Sequence, residues 1–93
     1  MRQREDRAEV LVDVFLEAGW DVPHGIWAID ADVWFTARFL GPHRAREMSA
    51  RIEIKRNGTI SITGMSLIPK NEKETEAAAK EVLRAAGLGE WLR

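Results

Sequence analysis

The segment Met48-Ser49-Ala50-Arg51-Ile52-Glu53-Ile54-Lys55 alternates apolar and polar residues without a break. A strand of period two has one face on a core and the other in water. The stretch from Thr59 to about Leu67 repeats the pattern with Ile60 and Ile62. The link between the two must keep Ile52, Ile54, Ile60 and Ile62 on one face, because a slip of one residue turns every side chain over. A two-residue Asn57-Gly58 turn would set Ile54 against Ser61. A three-residue loop, Arg56-Asn57-Gly58, sets Ile54 against Ile60 and Ile52 against Ile62. The spacing therefore predicts strands over 48–56 and 59–67, joined by a type I turn with Gly58 left-handed at a G1 bulge.

A hairpin of this kind is not stable alone and needs a layer on its apolar face. Two segments can supply it. Val10, Leu11, Val14, Phe15 and Ala18 recur at helical spacing and predict a helix over 4–18, stopped by Gly19. Ala78, Ala79, Val82, Leu83 and Ala86 predict a second helix over 72–86, with Asn71 as N-cap, Glu74 three residues on, and Gly87 as the stop. A further strand is expected over 33–40, where Val33, Phe35, Ala37 and Phe39 share one face and Trp34, Thr36, Arg38 and Leu40 the other. Ile26 to Ile29 reads either as a short strand or as the packed end of the loop carrying Pro23 and Gly25. The expected fold is α+β: a three-stranded antiparallel sheet with both helices on one face, in the order α-β-β-β-α, over a single domain spanning 1–93 with a tail at 87–93.

Composition narrows the function. The formal net charge is −1, whereas duplex-binding domains draw affinity from a basic excess. No cysteine is present, which excludes disulfides, thiolate metal sites and thiol chemistry. His24 and His43 show no spacing suited to zinc, and no cofactor is expected. Paired carboxylates such as Asp30 and Asp32 lack any sign of a cleft, and the serines have no glycine-flanked elbow. The expectation is a protein without enzymatic activity. No apolar run reaches the ~20 residues of a membrane span and no signal peptide is legible, so a cytoplasmic protein with no membrane role is expected.

Three features together resemble the double-stranded-RNA-binding-domain family. The element order matches over nearly the whole chain. Gly41-Pro42-His43 is similar to that family's Gly-Pro-x-His loop with one residue missing. Lys73-Glu74-Thr75-Glu76-Ala77-Ala78-Ala79-Lys80-Glu81-Val82-Leu83 resembles its alanine-rich closing helix. The resemblance implies a loop that reaches a minor groove and a helix start carrying a Lys-Lys-x-Ala-Lys run toward phosphates. Aligned on Ala77-Ala78-Ala79, the lysine positions hold Asn71, Glu72 and Thr75, and the run's alanine position holds Glu74. The basic residues that the family uses are missing.

Two binding surfaces follow. The first is a protein-contact or self-association surface anchored by Trp34, Leu40, Trp91 and Leu92, since exposed tryptophans serve as binding anchors. Against it stands the plain alternative that Trp20, Trp27 or Trp91 folds over an open core edge. The second is a weak RNA surface drawn from Pro42, His43, Arg44, Arg46, Lys70 and Lys73. Here the plain alternatives are an exposed turn histidine and a solvated, mixed-charge strand face around Arg51, Glu53 and Lys55. The preferred expectation is a binding module for a protein partner or a second copy; the alternative is an RNA-binding domain using the Gly41–Arg46 loop.

Overall fold

A computed structural model of the chain describes residues 2–29, 32–40, 47–65 and 69–92. Helix α1 (Arg2–Glu17) leads into β1 (Trp27–Ile29), β2 (Asp32–Leu40), β3 (Glu47–Ile54), β4 (Ile60–Gly64), α2 (Pro69–Ala85) and a 3-10 helix (Gly89–Leu92). The fold is α+β with an N-terminal and a C-terminal helix, as expected, but among the described residues the sheet has four antiparallel strands in the order β1-β2-β3-β4. The added strand is β1, paired through Trp27 with Trp34, Ala28 with Val33 and Ile29 with Asp32. Three residues are too few for a period to be visible, which is why the segment reads ambiguously in sequence.

The inner sheet face presents Val33, Phe35 and Ala37 from β2, Ala50, Ile52 and Ile54 from β3, and Ile60 and Ile62 from β4. Ala8, Leu11 and Phe15 of α1, and Ala79 and Leu83 of α2, complete one apolar cluster with them. Phe15 meets Phe35 edge-to-face with centroids 6.0 Å apart. The α1 stripe is rotated from the expected one: Ala8 joins the core, while Val10 and Ala18 are exposed. The sequence offers apolar residues on both sides of the true stripe, and periodicity alone does not choose between them.

The β3–β4 connection matches the expected register. Ile52 pairs with Ile62 and Ile54 with Ile60. Gly58 N–H donates to the Lys55 carbonyl at 2.8 Å and Lys55 N–H to the Thr59 carbonyl at 2.9 Å. Gly58 has φ +88°. Asn57 Oδ1 accepts from the Thr59 N–H at 3.0 Å and from its hydroxyl at 2.7 Å, an Asx arrangement that favours this turn.

Each helix closes with the same pair of bonds. Trp20 N–H donates to the Phe15 carbonyl and Gly19 N–H to that of Leu16; Leu88 and Gly87 repeat this with Leu83 and Arg84. Trp20 accordingly packs edge-to-face on Phe15 at 5.3 Å and belongs to the core. The chain after it is strapped to β2: Asp21 and Arg38 exchange backbone hydrogen bonds of 2.7 and 2.8 Å, and their side chains form an ion pair at 3.3 Å.

Helix α2 begins at Pro69, so Asn71 lies within its first turn and is not the N-cap. A proline costs nothing there, because a first-turn N–H has no intrahelical acceptor. Helix and sheet meet most closely at Gly64. A Cβ built on Gly64 would lie 2.8 Å from the Glu72 Cα and 2.9 Å from its carbonyl carbon. Gly64 is the point where the helix backbone seats on the strand.

Candidate functional site on the outer sheet face

Both helices pack on the inner face, and side-chain alternation sends Trp27, Ile29, Trp34, Thr36, Arg38, Ser49, Arg51, Glu53, Ser61 and Thr63 to the outer one. The registers align these into rows across the strands. One row runs Trp27, Trp34, Glu53, Ser61. The next runs Thr36, Arg51, Thr63.

The first row and its diagonal neighbour build a stack. Trp27 and Trp34 lie with ring planes 10° apart and centroids at 5.7 Å. The Arg51 guanidinium carbon sits 4.3 Å from the centroid of the Trp34 ring. Trp34 is thus held between an indole and a cation. Each contact contributes about 0.5–1.5 kcal/mol beyond its buried area. Trp34 is half-buried by this stack, while Trp27 keeps 42% of its surface exposed and Ile29 keeps 56%. The tip of the sheet therefore shows a pre-ordered apolar ridge, Ile29–Trp27–Trp34, bordered by the charges of Arg51, Glu53 and Asp32.

The expected anchors separate. Trp34 lies on the outer face as expected. Leu40 ends β2, opposite Glu47, and its side chain lies outside the described residues. Trp91 and Leu92 pack against the core cluster. Arg7 holds Trp91 in place: its guanidinium carbon is 4.6 Å from the indole centroid, and Nη1 donates to the Gly58 carbonyl at 2.6 Å. One arginine so ties α1, the β3–β4 turn and the C-terminal 3-10 helix together. Sequence reasoning left Trp27 out of the anchors and named it only beside Trp20 and Trp91 as a cover for a core edge; Trp20 and Trp91 pack on the core and Trp27 does not. The signal for Trp27 was the spacing: 27 with 34 and 29 with 32 share one midpoint, as partners in a hairpin do.

Of the alternative RNA surface, Pro42, His43, Arg44 and Arg46 lie outside the described residues, as does the side chain of Lys70. Lys73 is exposed on α2 beside Glu72 and Glu74. Of the three positions aligned with phosphate-facing lysines, Thr75 is 3% exposed and faces the core. It stands four residues before Ala79 and eight before Leu83, on their stripe. That position cannot present a cation to a ligand.

No protein-family model, curated protein or solved structure matches the chain. Among the described residues, no three of the histidines and carboxylates gather as a metal site. None of the described helices is long and apolar enough to cross a membrane.

Proposed function

We propose that this chain is a non-enzymatic binding module whose bare sheet face makes protein contacts. The observation that carries the reading is the Trp27–Trp34–Arg51 stack on the face opposite both helices. Tryptophan and arginine are the residues most enriched where binding energy concentrates. Holding them in a stack before a partner arrives removes part of the ordering cost of binding. The ridge ends in mixed charge, which suits a protein surface better than a phosphate backbone.

The arrangement is akin to a double-stranded-RNA-binding domain with one strand added at the sheet edge. In that comparison the binding role moves from the helix side to the sheet. The acidic start of α2 and the buried Thr75 support this shift, since they leave the family's usual phosphate contacts without cations.

Affinity capture from a lysate tests the reading, with the domain as bait and three variants beside it: Trp27→Ala, Arg51→Ala and Trp91→Ala. Retained proteins should fall at least tenfold for the first two at unchanged helix content, and stay for the third while it remains folded. Equal retention by wild type and Trp27→Ala would refute the sheet face as the contact surface.

A further inference from the structure

Strand β1 is the barest element of the fold. It is a sheet edge, all three of its residues are exposed, and its neighbour is β2, while the helices lie over β2, β3 and β4. An edge strand offers unpaired backbone N–H and C=O groups to any other strand, and proteins commonly block it with charge, proline or a bulge. Trp27-Ala28-Ile29 carries no charge and no proline. The opposite edge differs: β4 buries Ile60 and Ile62 and has the C-terminal 3-10 helix beside it.

We propose that β1 pairs antiparallel with β1 of a second copy, about a two-fold axis through Ala28, to make one continuous eight-stranded sheet. The inference rests on the reading of the sheet tip as a protein-contact surface and names its occupant. A two-fold interface must be self-complementary, and this strand is. With Ala28 facing Ala28 of the second copy, Trp27 faces Ile29 of that copy, and Ile29 faces its Trp27. The large side chains then meet on the outer face, as aromatic and β-branched partners that stabilise cross-strand pairs. The small ones meet on the inner face, where none of the described helices covers Ala28. The row Trp34–Trp27 of each copy continues into Ile29 of the other, so the apolar ridges join. No like charges are brought together within the paired residues.

The size of the contact sets its strength. Trp27 and Ile29, at 42% and 56% exposed, together with the edge backbone offer roughly 300 Å² per copy, against about 800 Å² for a standard stable interface. The dimer is therefore weak and concentration-dependent.

The chain has no cysteine, so a single introduced thiol reports on the axis. Facing Cα atoms in an antiparallel pair are about 4.5–5.5 Å apart, within the range a disulfide spans. Ala28→Cys should form a disulfide dimer at least tenfold faster under mild oxidation than Thr63→Cys on the opposite edge. Sedimentation should show wild-type mass rising toward two chains with concentration. Ile29→Lys and Trp27→Glu should each stay monomeric, and mixing them should restore association, because position 27 of one faces position 29 of the other. If either substitution unfolds the chain, the cysteine comparison decides. Wild type monomeric into the millimolar range, or equal cross-linking at both edges, would overturn the proposal. So would a mixture that fails to associate while both variants remain folded. If wild type is monomeric but capture still depends on Trp27, the sheet-face reading stands and the second copy is wrong. If capture is also lost on Ile29→Lys, the whole ridge from Ile29 to Trp34 contacts another protein, which equally overturns the second copy.

Discussion

Replacing Gly64 by alanine adds one methyl group at the tightest contact in the fold. That methyl would lie 2.8 Å from the Glu72 Cα and 2.9 Å from its carbonyl carbon, against 3.4 Å for ordinary contact, with the carbonyl oxygen nearer still. The helix must retreat by more than half an ångström. It cannot do so by turning a side chain, because all three opposing atoms are backbone. Helix α2 also carries Thr75, Ala79 and Leu83, all buried, so its retreat loosens their packing. Overpacking of this kind costs about 1–3 kcal/mol. The opposing gain, from a stiffer unfolded chain, is about 0.4–1 kcal/mol. The net is a loss of roughly 1–2 kcal/mol, or about 4–15 °C in Tm for a domain of this size. Paired thermal and urea unfolding followed by circular dichroism would read it. A Gly64→Ala variant as stable as wild type, with an unchanged m value, would refute the seating of α2 on β4 at this point.

Arg7→Ala should cost about 1.5–3 kcal/mol in urea unfolding, since it removes a charged hydrogen bond to the Gly58 carbonyl and a cation over Trp91; the Trp91 indole NMR signal should move with it. A Gly58→Ala variant should lose about 1–2 kcal/mol, because φ +88° disfavours any side chain and the new methyl would press on the Arg7 guanidinium. Duplex RNA should show no binding by fluorescence anisotropy at ~0.15 M salt. Changing Asn71 and Glu72 to lysine, with Thr75 left in the core, should raise affinity only if α2 can lie against a phosphate backbone; tight, salt-sensitive binding by the unmodified chain would reverse the functional reading.

The β3–β4 hairpin was legible because two independent signals agree there. Strict alternation sets the faces of Ile52, Ile54, Ile60 and Ile62, and only a three-residue loop ending in Gly58 keeps them together. The glycine stops after both helices were legible for the same reason: local chemistry decides them. Most of what failed depends on contacts distant in sequence. Val10 and Ala18 satisfy helical period as well as Ala8 does, and only the position of α1 over the sheet separates them. Asn71 has the chemistry of a cap, yet Pro69 starts the helix. The need for glycine at position 64 shows only once a helix is placed over it. The site suffered most, because a three-residue strand has no readable period and the meaning of Trp27 rests on its partner Trp34. For Trp91 the sequence left two readings, binding anchor and cover for a core edge; the second holds, and the sequence could not choose because nothing in it reveals that Arg7 reaches the indole.

The most direct test of the sheet-face account is the set of four tryptophan indole N–H resonances in a ¹H–¹⁵N spectrum, recorded for the domain alone and then with its captured partner. Trp27 and Trp34 stand in the outer-face stack, Trp20 in the core, and Trp91 under Arg7. The signals of Trp27 and Trp34 should shift or broaden on binding, while those of Trp20 and Trp91 hold their positions. Movement of Trp91 with Trp27 and Trp34 unchanged would place the contact on the other side of the molecule and contradict the account.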